Sequence, residues 1–264
     1  MVRFSNGLIN ITTEGKRVST KPYIYPKLQE MLDTYDFGDP LISEKNGEIW
    51  VSFSFKVPDI NIKPKLALGI DLGIRRFAAT SNGQIFIDRS FNKSKRKLRY
   101  LRRSLQSKGT KSAKRHLKKL RRTERNRNKD FNHKLANAIL KTKANVIVLE
   151  DLDLVRLKKK KHAYQNKNRI SQVGFGYLRQ MITYKANLLG KQVVLVNPAY
   201  TSQTDCITGK REGERAGCRF YAKSGLVYDA DVNAAVNIAR LAKLPTSLGN
   251  LLCGQVVCLS TNRL

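Results

Sequence analysis

Two apolar runs, each closed by an acid, constrain this chain more than any other feature. Leu66-Ala67-Leu68-Gly69-Ile70 ends in Asp71, and Val146-Ile147-Val148-Leu149 ends in Glu150. A continuous apolar run bounded in this way reads as a strand buried on both faces, the habit of parallel sheets covered by helices. Acids at the same end of neighbouring strands lie about 5 Å apart, close enough to share a cation. Ligand sites also gather outside the carboxyl ends of such strands. The fold class expected is α/β.

The segments between the two runs fit that plan. Phe77 to Thr80 and Ile85 to Ile87 flank Asn82-Gly83, a hairpin signal, so the first strand opens a three-stranded meander. Phe175, Leu178, Ile182 and Leu189 mark an amphipathic helix with Gly190 as its cap, and Val193 to Val196 read as a third buried strand. Asp229 to Leu241 reads as a final core helix that packs through Ala234, Ala235 and Ile238. Asp231 lies at its start, where the helix dipole favours a negative charge. Asp71, Glu150 and Asp231 at one edge could hold two hard cations about 4 Å apart, a pair that activates water and stabilises a leaving oxygen in phosphodiester hydrolysis. Taken singly, each acid is an ordinary turn or helix-cap residue, and Asp151 and Asp153 are read as surface acids.

Residues 1–63 read as β-rich. Val51, Phe53, Phe55 and Val57 alternate with polar neighbours, and Asn46-Gly47 before them signals a hairpin turn. Residues 200–228 read as irregular, and the tail from Pro245 has no periodicity.

Charge narrows the partners. The chain of 264 residues has 51 Lys and Arg against 20 Asp and Glu, a formal net charge of +31. Such an excess calls for a polyanion, and nucleic acid is the commonest one, bound with salt-sensitive affinity through counterion release. A ribosomal or nucleoid-type binder without chemistry satisfies the charge equally well, and an anionic membrane surface is the competing partner. There is no apolar run of spanning length and no signal peptide, so no membrane partner is expected. Cys206, Cys218, Cys253 and Cys258 are read as reduced thiols of a cytoplasmic protein. Residues 91–130 concentrate 18 Lys and Arg against Glu124 and Asp130. Leucines at helical spacing, interrupted by Gly109, predict two basic helices there. Arg99, Arg102, Arg103, Lys118, Lys119 and Arg122 are the nucleic-acid contacts expected from them, with Lys158, Lys159, Lys160 and Lys161 in a second basic stretch.

These residues carry a family resemblance. LALGIDLG at 66–73, VIVLEDL at 146–152 and DADVNAAVNI at 229–238 resemble the three motifs of RuvC-type nuclease domains. VNPAYTSQT at 196–204 belongs to the same pattern. Together, over roughly residues 45 to 240, the chain resembles the transposon-encoded TnpB (OrfB) family, relatives of the type V CRISPR effectors. The resemblance implies an RNase H-like (RuvC) mixed sheet over 64–199, with a basic helical insert at 91–143 lining a guide–target channel, and a closing core helix at 229–244. It also implies a transposon-associated, RNA-guided DNA endonuclease with Asp71, Glu150 and Asp231 as both catalytic residues and Mg²⁺ ligands, Mn²⁺ being an alternative. Its partners would be DNA and a guide RNA from the transposon end, in a monomeric ribonucleoprotein. Its setting would be a prokaryotic or phage-encoded protein of the cytoplasm, associated with the nucleoid. Two other readings stand beside this one: a truncated, non-cleaving binder or repressor from the same family, and an unguided junction or RNA–DNA nuclease on the same fold.

The chain departs from the family pattern in two places. The family carries a four-cysteine zinc ribbon between TSQT and DAD. Aligned on Gly209 and Gly225, its positions here are Asp205, Thr208, Tyr221 and Ser224, none a thiol. The three histidines, His116, His133 and His162, lie elsewhere. Residues 200–228 are therefore expected to be a degenerate ribbon-like insert without zinc, held by packing through Phe220 and Tyr221. The second departure is at the N-terminus, where residues 1–63 correspond to part of a wedge domain.

Overall fold

The computed structural model describes residues 2–45, 47–58, 63–151, 174–197 and 199–246, and the backbone of 255–258. It forms two compact units, Met1–Asp59 and Ile60–Leu264.

In the first unit, β1 (Val2–Ser5), β2 (Leu8–Thr12) and β3 (Arg17–Thr20) form an antiparallel sheet. They are followed by α1 (Pro26–Thr34), β4 (Asp36–Phe37), β5 (Leu41–Lys45), β6 (Glu48–Ser52) and β7 (Phe55–Lys56). The hairpin signalled by Asn46-Gly47 is present as β5 and β6, with Lys45 opposite Glu48. The strand expected across Val51 to Val57 is broken after Ser52. Phe53 instead joins Phe4, Phe37 and Phe55 in a cluster of mostly edge-to-face rings, and this packing outweighs continued pairing. The helix α1 was not anticipated. It opens on Pro26, whose fixed φ suits a first helical position.

The second unit is built on β8 (Ala67–Leu72), β9 (Ala78–Thr80) and β10 (Gln84–Ile87), then α2 (Arg89–Lys108), α3 (Lys111–Leu140), β11 (Val146–Glu150), α4 (Phe175–Leu188) and β12 (Gln192–Val196). Next come β13 (Gly213–Ala216), β14 (Arg219–Ala222), β15 (Val227–Asp229), α5 (Ala230–Leu241) and β16 (Gln255–Cys258). Six strands form one mixed sheet in the order β12-β11-β8-β9-β10-β16. β11 runs parallel to both β8 and β12, whereas β9 is antiparallel to β8 and β10.

Three expectations are corrected. β12 is not a buried strand: it lies at the sheet edge with Leu195 46% exposed, because no described strand pairs beyond it. Residues 200–228 are not irregular throughout, since β13, β14 and β15 form an antiparallel sheet of their own. The tail from Pro245 supplies β16, which pairs in parallel with β10. Its sequence shows no period because a short strand can borrow its register from the partner's hydrogen bonds.

Helices cover both faces of the sheet. Leu68, Ile70, Ile147 and Leu149 point into a core shared with α3 and α4 through Leu135, Ile139, Leu178 and Ile182. Ala67, Val146 and Val148 face the other way and meet Ile238 of α5. Side chains alternate along a strand, so Gly69 also faces α5. A Cβ at Gly69 would stand 2.0 Å from the carbonyl oxygen of Ala235 and 2.5 Å from the amide nitrogen of Ala239. The helix therefore rests directly on the strand's backbone.

α2 and α3 form the two basic helices, separated at Gly109, whose φ of 63° ends α2, while the Thr110 hydroxyl caps α3. Phe91 stacks on Phe131 with ring centres 4.0 Å apart, tying the hairpin to the core. Replacing Gly69 with Ala is expected to lower stability by about 1–3 kcal/mol or more, since backbone and not a flexible side chain must move. Urea unfolding measures this, and an unchanged midpoint would show that α5 does not lie on β8.

Candidate active site

The register of the sheet brings the acids together. Ile70 pairs with Leu149 in the parallel ladder, so the next residues, Asp71 and Glu150, lie level on adjacent strands. Both acids share the parity of Gly69 and Val148, which directs them to the α5 side. On α5, Asp231 is one turn before Ala235, the residue in contact with Gly69. One helical turn and two strand residues each advance about 6 Å. Asp231 thus reaches the end of the sheet where Asp71 stands.

The charges register this proximity. Burial, together with the neighbouring charges of Glu150 and Asp231, pushes the Asp71 carboxyl up to about 7. The Asp71 side chain makes no hydrogen bond or ion pair among the described residues; the charge of Arg215 only partly offsets the repulsion. Burial also raises Glu150, opposed by the Thr201 hydroxyl, which donates to its Oε1 at 2.7 Å.

Two guanidinium groups hold Asp231. Arg76 donates to Asp231 Oδ2 at 3.2 Å and to Asp229 Oδ2 at 2.5 Å. Arg215, from β13, donates to Asp231 Oδ1 at 2.6 Å. Among the described residues, no group of three His, Cys, Asp or Glu side chains forms a ready metal cage. Arg76 is aimed by a tight turn: the Gly73 amide donates to the Phe77 carbonyl, and a Cβ at Gly73 would stand 2.4 Å from the Arg76 carbonyl oxygen. Asp229, the first acid of DAD, is the helix cap. Its Oδ1 accepts from the amides of Asp231 and Val232.

The remaining part of the site is a clamp. Asn233 accepts from the Cys206 amide and donates to the Thr204 carbonyl, while Asn237 donates to the carbonyls of Thr201 and Thr204. The asparagines of DADVNAAVNI thereby pin the TSQT segment onto α5 and present Thr201 to Glu150.

Sequence reasoning missed Thr201, Arg76, Arg215, Asn233 and Asn237. The two asparagines carried a signal, being polar residues on the buried face of a core helix, both under 10% exposed. Arg76 and Arg215 carried none, because they are two among many cations.

Other expected residues are dispersed. Arg99, Arg102 and Arg103 lie on α2, and Lys118, Lys119 and Arg122 on α3. Arg102 is half-buried in an ion pair with Glu124 that joins the two helices; Arg103, Lys118, Lys119 and Arg122 are exposed. Lys158 to Lys161 and Asp153 lie outside the described residues. Asp151 pairs with Arg179 at 2.9 Å and is exposed, as a surface acid should be. In the ribbon-like insert, Phe220 is buried and stacks on Tyr228, but Tyr221 is 42% exposed. The packing there therefore runs through Phe220 and Tyr228. Asp205 accepts from the Ile207 amide through Oδ1 and from the Gly209 amide through its backbone carbonyl.

Known proteins resemble this chain in both halves. Residues 52–169 match the OrfB_IS605 family model, described as "Probable transposase", and residues 175–238 match the Cas12f1-like TNB domain. The protein named "Putative RNA-guided DNA endonuclease InsQ" from Escherichia coli (strain K12) is 31% identical over 72% of this chain and 51% of its own length. The CRISPR-associated endodeoxyribonuclease Cas12f2 of a Micrarchaeota archaeon is 35% identical over 42% of this chain and 23% of its own. The chain spans about half the length of the first of these relatives, and less of the second. A solved Cas12f1–sgRNA–target DNA complex superposes with a TM-score of 0.48 at 19% identity, over 75% of this chain and 55% of that one.

The raised Asp71 carboxyl sets a pH dependence. Its folded pKa lies above the ordinary 3.8, so its contribution to stability is present at low pH and lost as pH rises to about 7. In metal-free buffer, the stability of the parent should fall relative to Asp71→Asn between about pH 4 and 7, then level off. A difference that does not vary with pH, measured by denaturant unfolding, would remove Asp71 from the acid cluster.

Proposed function

The chain belongs to the TnpB (OrfB) family, and from that premise we propose that it is a transposon-associated, RNA-guided DNA endonuclease cleaving phosphodiesters at Asp71, Glu150 and Asp231. The observation that carries this reading is the convergence of the three acids at one end of the sheet, on one face. The strand order, with one antiparallel strand between parallel neighbours, is that expected of an RNase H-like core.

The residues suit a hard divalent cation. All three side chains offer oxygen, and the Asp71 carboxylate has no hydrogen-bonding partner among the described residues, only repelling acids partly offset by the charge of Arg215. Asp71, Glu150 and Asp231 would hold Mg²⁺, or Mn²⁺, as a two-metal site. Such ions supply activated water and neutralise charge on the leaving oxygen. Thr201 orients Glu150 for this task, and Asp231 becomes available when Arg76 and Arg215 release it.

Arg103, Lys118, Lys119 and Arg122 stand on exposed helix faces suited to the backbone of a guide–target duplex, which a protein grips by shape while base pairing reads sequence. The partners are accordingly DNA and a guide RNA from the transposon end, in a monomeric ribonucleoprotein of the prokaryotic cytoplasm. Among the described residues, no helix is long and apolar enough to cross a membrane.

A second reading, a non-cleaving binder or repressor, is favoured by one observation: both oxygens of Asp231 are held by arginines.

Cleavage separates the two. With the RNA that co-purifies from its host and Mg²⁺, the parent should cut DNA. Asp71→Ala should abolish cutting while leaving DNA affinity within a few-fold, because it removes a metal ligand and leaves the phosphate-binding cations in place. A parent that binds but never cuts establishes the binder; a variant that cuts as well as the parent removes Asp71 from the chemistry. Neutralising Arg103, Lys118, Lys119 and Arg122 together should weaken binding and reduce its salt slope by roughly one for each phosphate no longer neutralised. An unchanged slope would make these helices a solvated face.

A further inference from the structure

Beside the acid cluster lies a cavity of about 480 Å³ with a different chemistry. Arg75 and Arg76, from the turn after β8, line one side, and Asn92, Lys95, Arg96 and Arg99 of α2 line the other. The α2 residues recur at intervals of three and four, so one helix face supplies them all. No acidic residue lines the cavity among the described residues.

Lys95 is the unusual member. It is only 9% exposed, and its ammonium makes no hydrogen bond or ion pair among the described residues. Lysines are almost never buried without a partner, because an ammonium ion gives up its hydration there. Its ammonium instead stands 5.4 Å from the Phe91 ring centre and 5.8 Å from that of Phe77. Burial, with added repulsion from Arg99, lowers it to about 8. The two rings face the ammonium, and no acidic side chain lines the cavity among the described residues. The buried ammonium of Lys95 therefore carries a desolvation cost that a bound anion would offset.

We propose that this cavity is a phosphate site for the nucleic-acid strand being cut, with Lys95 as its buried anchor and Asn92, Arg75, Arg96 and Arg99 around it. Arg76 joins it to the acids, since the same side chain lines the cavity and bonds to Asp229 and Asp231. A phosphate here holds the strand one step away from Asp71, Glu150 and Asp231. Its volume falls in the range of small-ligand pockets, roughly 300–1,000 Å³, and admits a sugar with its phosphate. The identity of the strand rests on the function proposed above; the anion site itself does not.

Pyridoxal 5′-phosphate tests the site on the full chain in EDTA. Its aldehyde condenses with a lysine amine, losing water, and borohydride reduces the imine to a stable amine that peptide mass spectrometry locates. Lys95 should be modified about tenfold more by this probe than by pyridoxal, which lacks the phosphate. A six-nucleotide single strand should protect it at concentrations where inorganic phosphate does not. Lys95→Met keeps an unbranched side chain of similar size and removes the charge. It should weaken binding of that strand several-fold at low salt and reduce the salt slope by about 0.7. Equal labelling by the two probes, or an unchanged slope, overturns the site. Equal protection by inorganic phosphate and the strand overturns the strand assignment and leaves a small-anion site. Cutting is assayed separately with Mg²⁺. A Lys95 that DNA protects in a protein that never cuts sinks the nuclease reading alone.

Discussion

The contact between α5 and the backbone of β8 at Gly69 sets the geometry of everything around it. With any side chain at that position the helix would have to stand off, because a Cβ would meet helix backbone at 2.0 Å. Close seating fixes the helix along its axis as well as its height, since Ala235 and Ala239 grip the glycine from two successive turns. Asp231, one turn further on, then has a single place to be. The sheet register does the same for Asp71 and Glu150. Three acids from three distant stretches of chain thus meet through two alignments, neither of which involves the acids.

Bringing acids together is unfavourable, and the surrounding residues distribute that cost. Asp231 is relieved by Arg76 and Arg215, Glu150 by the Thr201 hydroxyl, and Asp71 by taking a proton near neutrality. The cations that satisfy Asp231 come from two separate elements, the β8–β9 turn and β13. Any added positive charge must compete with these guanidinium groups for Asp231. Next to it, the Lys95 cavity has the opposite imbalance, cations without acids among its described lining residues.

The strand runs at Leu66–Asp71 and Val146–Glu150, the meander, the break at Gly109 and the last core helix were legible, because each is written in local periodicity or a breaker residue. Asp71, Glu150 and Asp231 were legible as candidates for the same reason, standing at element ends in a chain poor in acids. What was not legible depends on partners far away in sequence. Thr201 gains its role from Glu150, 51 residues earlier. Arg76 meets Asp229 across 153 residues. β12 read as buried because its composition is apolar, and only the strand order reveals it as an edge. β13 to β15 were obscured by the missing thiols: without the usual ligands, nothing local marked a sheet whose core is Phe220, Ala222, Tyr228 and Ala230.

The clamp formed by Asn233 and Asn237 ties chain length to geometry. Both ends of the segment from Thr201 to Asp229 are pinned to α5, one through asparagine amides to Thr201 and Thr204, the other by direct continuation of the chain into the helix. Whatever lies between is a closed loop held mainly by this helix, with Cys206 packed against Ala79 and Ile85 of the sheet. Here its small sheet holds together through the buried cluster of Phe220, Ala222, Tyr228 and Ala230. Inserted residues would bulge outward from the loop while its two anchor points stayed in place. A shift within the anchors themselves would not be absorbed in this way, because one residue rotates a helix position by about 100° and inverts a strand position. Sequence drift in this part of the molecule is therefore tolerated by location, freest at the exposed positions of the span and strict at its attachments, at Arg215 and at the buried Phe220.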